Sequence, residues 1–202
     1  MSAGIGVFTR APVAGATKTR LIPLLGAAGA ARAHWQLLDI ALRAAVEACP
    51  GGVTVFVAGE MPALALPMRA QVDGDLGARM QAALEWLWQR HEQALVIGSD
   101  CAVLTAGVLR EAALALHDHD LVFVPAEDGG YVLVGARRGT LQLGHVFHGI
   151  PWSSAAVMAT TRLRVQEAGL RHAEIGMLWD VDEPADWQRA VAAGLVRDEV
   201  RS

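Results

Sequence analysis

Asp100 follows a short apolar run, Ala94-Leu95-Val96-Ile97, that is broken by Gly98. Glu127 and Asp128 follow a second run, Leu121-Val122-Phe123-Val124, that gives out at Pro125. Runs this short and apolar at every position read as strands buried on both faces of a parallel sheet. As adjacent strands they deliver carboxylates to one rim, and ligands of open α/β sheets bind outside the carboxyl ends of the strands. A carboxylate at such an edge suits a hard cation such as Mg²⁺, which takes one or two carboxylates and completes its shell with substrate phosphates. A turn aspartate bonding nearby backbone N–H groups is the plain alternative.

Other groups have chemistry of their own. The segment from Arg10 to Arg20 follows the first strand-like run and carries the cations Arg10, Lys18 and Arg20, with Gly15 between them. Arg grips phosphate by bidentate bonds and Lys as a point charge. Gly15 lets the backbone come close to a ligand. The segment is not a GxxxxGK[ST] loop, and a solvated surface loop is its plain reading. Glu127-Asp128-Gly129-Gly130 reads as a hairpin turn or as bare backbone for a ligand, with Tyr131 placed to stack on a base or sugar. Asp180 and Asp182 stand two apart and face one side of an extended segment, within reach of one metal, or they serve to cap a helix. No HxxxH, HExxH or GxSxG pattern occurs, which argues against zinc and a serine hydrolase. Cys101 reads as a small buried residue rather than a nucleophile.

These residues need elements to hold them. Strands are expected over Ala3–Thr9, Val53–Ala58, Ala70–Val72, Ala94–Ile97, Leu121–Val124, Val132–Gly135 and His172–Leu178. Helices are expected from Ala27 to Ala48, from about Ala78 to His91, after Thr105, from an N-cap at Ser153 to Ala168, and from Pro184. Thr140 to Gly149 has no clear period and reads as loop and short helix. Strand and helix alternate, so the fold class is α/β, one domain over residues 1–202, a three-layer α/β/α arrangement with a mostly parallel sheet. A hydrophobic fraction of 53% gives ample core, and the net charge of −4 argues against a general nucleic-acid binder. No apolar run is long enough for a membrane span. Met1 to Arg10 lacks a basic segment followed by a signal-peptide core, so a cytoplasmic protein with reduced thiols at Cys49 and Cys101 is expected.

Several blocks together carry a family resemblance. They are Phe8-Thr9-Arg10-Ala11-Pro12 with Gly15 and Lys18-Thr19-Arg20-Leu21; Gly74-Asp75-Leu76-Gly77-Ala78-Arg79-Met80; Ile97-Gly98-Ser99-Asp100-Cys101; Glu127-Asp128-Gly129-Gly130-Tyr131 with Gly135; Ile150-Pro151-Trp152-Ser153; and Asp180-Val181-Asp182. In this order, spanning nearly the whole chain, they resemble the DUF2064 family, the radical-SAM/selenodomain-associated transferase 1 proteins. That family is similar to the GT-A nucleotide-diphospho-sugar transferases and, more distantly, to phospholactate and molybdenum-cofactor guanylyltransferases. The resemblance implies a GT-A-like fold. It implies nucleotide contacts from Thr9, Arg10, Gly15, Lys18, Arg20, Ser99, Gly129, Gly130 and Tyr131, catalytic roles for Asp100 and Asp128, and a Mg²⁺ or Mn²⁺ site at Asp100, Asp180 and Asp182. Departures from the family pattern are Ala102 for proline, expected to loosen the turn after Asp100, Ser154 for threonine, a mild change, and Glu183 for threonine, expected to weaken a helix cap and add negative charge near Asp182.

The function expected on this footing is metal-dependent glycosyl transfer from a nucleotide sugar to a small-molecule acceptor whose identity the chain does not disclose. Nucleotidyl transfer from a nucleoside triphosphate onto a phosphorylated small molecule is the alternative, and a non-catalytic nucleotide-binding module is the second. The acceptor is not nucleic acid, and a homo-oligomer is left open.

Overall fold

The computed structural model describes residues 3–198. Among them run β1 (Gly4–Arg10), α1 (Ile22–Ala48), β2 (Val53–Ala58), β3 (Met68–Ala70), α2 (Leu76–Leu87), β4 (Gln93–Gly98), α3 (Ala106–Ala115), β5 (Leu121–Pro125), β6 (Tyr131–Arg137), α4 (Leu143–Phe147), α5 (Val157–Glu167), β7 (His172–Glu174) and α6 (Pro184–Ala192). The strands form one sheet in the order β3-β2-β1-β4-β6-β5-β7.

Alternation along the strands makes the three layers. Ile5, Val7, Leu95, Ile97, Val122 and Val124 point to one face and meet Leu38, Ala41, Leu109 and Leu116 of α1 and the α3 region. Phe8, Phe56, Val96, Phe123 and Val134 point to the other and meet Met80, Leu84, Val146 and Val165 of α2, α4 and α5. A third cluster joins Leu21, Leu25 and Leu37 to Trp179, Val181 and Trp187, so that α6 closes one end. A fully buried side chain of this size contributes about 1.5–3 kcal/mol.

The two carboxylate-bearing strands are not neighbours. β6 lies between them and runs antiparallel to both β4 and β5. Two antiparallel pairings restore the direction, so β5 runs parallel to β4, and β4 runs parallel to β1. The ends at Arg10, Gly98 and Pro125 therefore still share a rim, and β6 starts on it at Tyr131.

Several boundaries differ from expectation, among them the end of α2, at Leu87 rather than His91. α1 begins at Ile22, because Pro23 sits in the first turn where it needs no N–H, and a kink at Gly26 (φ 69°) lets the helix restart. The short edge strand is Met68–Ala70, in register with Val55–Val57. β7 is only His172–Glu174, and beyond it a single bridge joins Leu178 to Ala126. Ser153 caps nothing: it is left-handed (φ 64°), and α5 starts later, at Val157. The short helix within Thr140–Gly149 is α4.

The departures from the family pattern are absorbed locally. The turn after Asp100 closes with Leu104 N–H donating to the Cys101 carbonyl at 3.4 Å, over a buried Ala102. Ser154 Oγ donates to the Pro151 carbonyl at 2.7 Å and accepts from Ala156 N–H at 3.3 Å. Glu183 does not weaken the α6 cap, because the Asp186 carboxylate accepts from the backbone N–H groups of Asp182 (3.2 Å) and Glu183 (2.8 Å). Its own charge faces Arg20 at 3.3 Å.

Candidate active site

A cleft of about 730 Å³ opens on the rim where β1, β4 and β5 end. Its lining includes the cations Arg10, Lys18 and Arg20, the carboxylates Asp100, Asp128, Asp180 and Asp182, and the larger apolar side chains of Tyr131, Trp152 and Leu76. Two backbone bonds bring these distant residues together. Val181 N–H donates to the Asp100 carbonyl at 2.9 Å, laying the 180–182 segment beside the end of β4. Glu127 N–H donates to the Leu178 carbonyl at 2.9 Å, tying the same segment to the end of β5.

The loop after β1 is built around Thr17. Its buried hydroxyl donates to the Ala11 carbonyl at 2.7 Å and accepts from Val13 N–H at 3.1 Å. Lys18 then takes a left-handed backbone, φ 50° and ψ 46°, which a non-glycine residue adopts only at a cost of about 1–2 kcal/mol. That conformation turns its side chain inward, where it is 6% exposed. Nζ donates to the Val181 carbonyl at 2.6 Å and to Asp182 Oδ1 at 2.7 Å, and stands 3.0 Å from Asp100 Oδ2. Burial works to lower the Lys18 pKa, but the two carboxylates outweigh it and hold the ammonium above its ordinary value.

A side-chain cation lies between two of the three carboxylates expected to hold a metal. The cation between Asp100 and Asp182 is the Lys18 ammonium, and among the described residues no three His, Cys, Asp or Glu side chains are grouped to hold a metal. Asp180 makes no ion pair with Lys18 but lines the same cleft. Burial, with Asp128 and Asp182 nearby, pushes its carboxyl up to about 6. Asp100, Asp180 and Asp182 are all carboxylates of the cleft, and such a donor set suits Mg²⁺ or Mn²⁺ when ligand oxygens supply the other positions and Lys18 gives way.

The glycine turn is also occupied differently from its expected role. Gly129 (φ 90°) offers no bare backbone to a ligand: a Cβ there would collide with the Ala155 carbonyl oxygen, and Gly129 O accepts from Met158 N–H at 2.8 Å. The 152–158 segment thus lies against it. Asp128 Oδ1 accepts from Gly130 N–H at 2.8 Å, an Asx turn, while both residues line the cleft. Tyr131 is no free stacking platform. Its ring meets Phe123 and Trp152 edge-on at 5.2 and 6.4 Å, and burial raises its hydroxyl's pKa. Glu127 is tied outward by Arg189 at 2.8 Å, whose guanidinium lies 4.1 Å over the Trp179 ring.

Thr9, Gly15 and Ser99 do not line the cleft. Gly15 (φ 84°) sits at the loop tip with open space around it. Ser99 is buried, its Oγ 3.4 Å from Asp100 Oδ1. Thr9 Oγ1 stands 2.9 Å from Nε2 of His34, a buried residue of α1 that does line the cleft. Burial lowers the His34 pKa, with Asp100 opposing and Lys18 and Arg10 adding to the fall. His34 was not foreseen. Its signal was a lone imidazole within Ala30–Leu38, a stretch whose other buried residues are alanine and leucine.

Solved structures place the fold among nucleotide-utilising transferases. A "putative nucleotide-diphospho-sugar transferase" from Desulfovibrio desulfuricans G20 superposes with a TM-score of 0.85 at 25% identity, covering 100% of this chain and 91% of that one. The 2-C-methyl-D-erythritol 4-phosphate cytidylyltransferase from Thermus thermophilus gives 0.58 at 16% identity, over 97% and 100% of the two chains. The manganese complex of Rv0371C from Mycobacterium tuberculosis H37Rv gives 0.55 at 14%, over 95% and 100%. The latter two share the fold alone. No curated protein matches the sequence. The family model described as "Uncharacterized protein conserved in bacteria (DUF2064)" matches residues 42–154, and the chain belongs to that family, with the GT-A-like fold its motifs imply.

Proposed function

We propose that this protein is an enzyme that transfers a glycosyl group from a nucleotide-diphospho-sugar to a small-molecule acceptor, over residues 1–202 acting as one domain. The reading is carried by Lys18: a buried ammonium shared by Asp100 and Asp182 at the carboxyl rim of the sheet. A donor diphosphate competes for that ammonium, with Arg10 and Arg20 at the mouth supplying bidentate contacts. Charge on the departing nucleoside diphosphate is then met by cations already in place, which is where preorganised electrostatics lowers a barrier. Asp100 and Asp182 are the carboxylates that would hold Mg²⁺ or Mn²⁺, an ion that supplies charge neutralisation on the phosphates. The acceptor lies toward Asp128, Tyr131 and Trp152, and Asp128 is placed to take its proton.

One observation favours the nucleotidyl-transfer alternative. Arg10, Lys18 and Arg20 are more cationic charge than a diphosphate requires, and a triphosphate would use all of it. The two are separated by product: incubation with a panel of nucleotide sugars should release nucleoside diphosphate by slow hydrolysis. Pyrophosphate released from a triphosphate, with no nucleoside diphosphate from any sugar, replaces the first reading by the second. Thermal shift with ligand at about a hundred times its dissociation constant should add roughly 2.7 kcal/mol, and no shift with any nucleotide sinks both. No helix among the described residues is long and apolar enough to cross a membrane.

A further inference from the structure

His34 is the buried polar group of the cleft that nothing above employs. It is 2% exposed and is the one histidine among the residues that line the cleft. Its tautomer is fixed from behind. Thr9 Oγ–H donates to the Arg10 carbonyl oxygen at 3.2 Å. Nε2 stands 3.1 Å from that same carbonyl and 2.9 Å from Thr9 Oγ1. A carbonyl only accepts, and the Thr9 proton is already committed to it, so the neutral ring carries its proton on Nε2. Nδ1 is then a bare lone pair. It is buried and has no hydrogen-bond partner among the described residues. A buried acceptor without a partner costs stability, so the arrangement calls for a state in which that lone pair is used.

The group facing the lone pair is Asp100. Its Oδ1 lies 3.7 Å from Nδ1, beyond hydrogen-bond reach, and an ionised carboxylate has no proton to give. Two acceptors thus face each other with no donor between them, which is an arrangement a cation resolves. Two ligands each about 2.1 Å from one divalent ion lie about 3.0 Å apart at a right angle and about 4.2 Å apart at most, and the observed separation falls in that span. Lys18 holds the other carboxylate oxygen, Oδ2, at 3.0 Å, while Oδ1 has only Ser99 Oγ among the described residues, at 3.4 Å.

We infer that His34 Nδ1 is a ligand of the metal that Asp100 holds, and that this ion is therefore a first-row transition dication such as Mn²⁺ rather than Mg²⁺. Mg²⁺ takes oxygen ligands, whereas imidazole nitrogen suits the transition metals. The Nε2–H bond to the Arg10 carbonyl is the outer contact that a ligating imidazole uses, because it fixes tautomer and ring orientation. One imidazole and one carboxylate do not hold such an ion alone, and Arg10 and Lys18 line the same cleft and repel it. It binds together with phosphate oxygens, which offset that charge and fill the remaining positions. The inference rests on the reading of the cleft as a site for metal and phosphate, and it adds one nitrogen to a donor set otherwise made of oxygens.

Mn²⁺ with inorganic pyrophosphate is the probe, and electron spin-echo envelope modulation of the bound ion is the readout. The unaltered protein should show coupling to ¹⁴N that changes to the ¹⁵N pattern when the histidines alone are ¹⁵N-labelled. His34→Phe should abolish it. Phenylalanine keeps a ring of similar size, and the Arg10 carbonyl keeps the Thr9 hydroxyl. Mn²⁺ bound through oxygens alone overturns the inference and leaves the metal reading standing. So does a nitrogen signal that persists in His34→Phe. No Mn²⁺ bound at saturating pyrophosphate removes the metal reading, and this inference with it.

Metal preference gives a second arm. With pyrophosphate present, His34→Phe should weaken Mn²⁺ at least about tenfold and Mg²⁺ by less than about threefold, so the preference between the ions falls. Equal losses for both ions mark general damage to the cleft and count against a ligand role, as does no loss for either. Thermal unfolding of the variant accompanies the titration. If His34→Phe does not fold, the labelled unaltered protein decides alone, because no other histidine lines the cleft among the described residues.

Discussion

The loop after β1 and the turn after β5 end on one rim, and both have the composition of ligand-binding backbone, yet they are filled by different things. The first turns Lys18 inward and surrounds its ammonium with oxygens from residues 181 and 182 and from Asp100. The second turns Gly129 toward the 150s, and the Ala155 carbonyl occupies the space that a side chain or a ligand would have taken. Glycine, proline and charge mark where a chain bends. What lies against the bend comes from segments far along the chain, and only their arrival decides between a binding loop and a packing contact.

The largest effect is expected where the packing is tightest. Gly129→Ala should lower stability by about 2–4 kcal/mol, combining overpacking of about 1–3 kcal/mol with left-handed backbone strain of about 1 kcal/mol. Gly15→Ala is its control. It has the same sign of φ, 84° against 90°, and nothing within 4 Å, so only the backbone term of about 1 kcal/mol applies. Urea unfolding at constant m reads the difference. Equal losses in the two variants would mean that the Ala155 contact gives way freely.

Within the cationic loop the contrast is between Lys18 and Arg20, two residues apart. An expectation drawn from the loop's few apolar residues is that alanine at either leaves the fold intact. The structure separates them. Lys18→Met removes the partner of two carboxylates that are only 39% and 44% exposed, and should lower stability by about 1–2 kcal/mol while weakening pyrophosphate binding at least tenfold. Arg20 is 66% exposed against Glu183, so Arg20→Ala should stay within about 0.5 kcal/mol of the parent and lose affinity only. Calorimetric titration with denaturant curves on the same samples tests both. If Arg20→Ala costs more stability than Lys18→Met, the assignment of inner and outer cation is reversed.

The strands of this rim were legible because a fully apolar four-residue run admits few other readings. Their neighbours were not. β6 inserts between β4 and β5, a matter of topology that no local pattern encodes, and it left the rim intact only because two antiparallel pairings cancel. In the site, Asp100, Lys18 and Asp182 were visible as charges at strand ends, but their pairing was not, since it depends on one backbone bond between Val181 and Asp100. His34 was hidden for the opposite reason. A single histidine on an alanine-rich helix face reads as core, and it is core, with one nitrogen left over for the cleft.

The smallest effect concerns Cys101, the immediate neighbour of Asp100, and it sharpens how abruptly the rim ends. Asp100 lines the cleft, whereas Cys101 is 2% exposed and packs with the core beneath α3. Burial, with Asp180 and Asp100 adding to it, pushes its thiol up to about 12. The thiolate is the reactive form, so iodoacetamide at pH 8 should modify the native protein no faster than the protein opens, and Cys49, also buried, should behave alike. The sign of the pH dependence follows. The folded state keeps the Cys101 proton after the unfolded chain has lost its own, near the ordinary thiol value of about 8.5. Stability from this group is therefore whole below that value and falls as pH rises toward 12. Cys101→Ala should flatten that alkaline fall and leave the neutral-pH nucleotide affinity unchanged. Rapid labelling of Cys101 in the native state, protected by nucleotide, would place the thiol in the cleft and move the boundary between core and site by one residue.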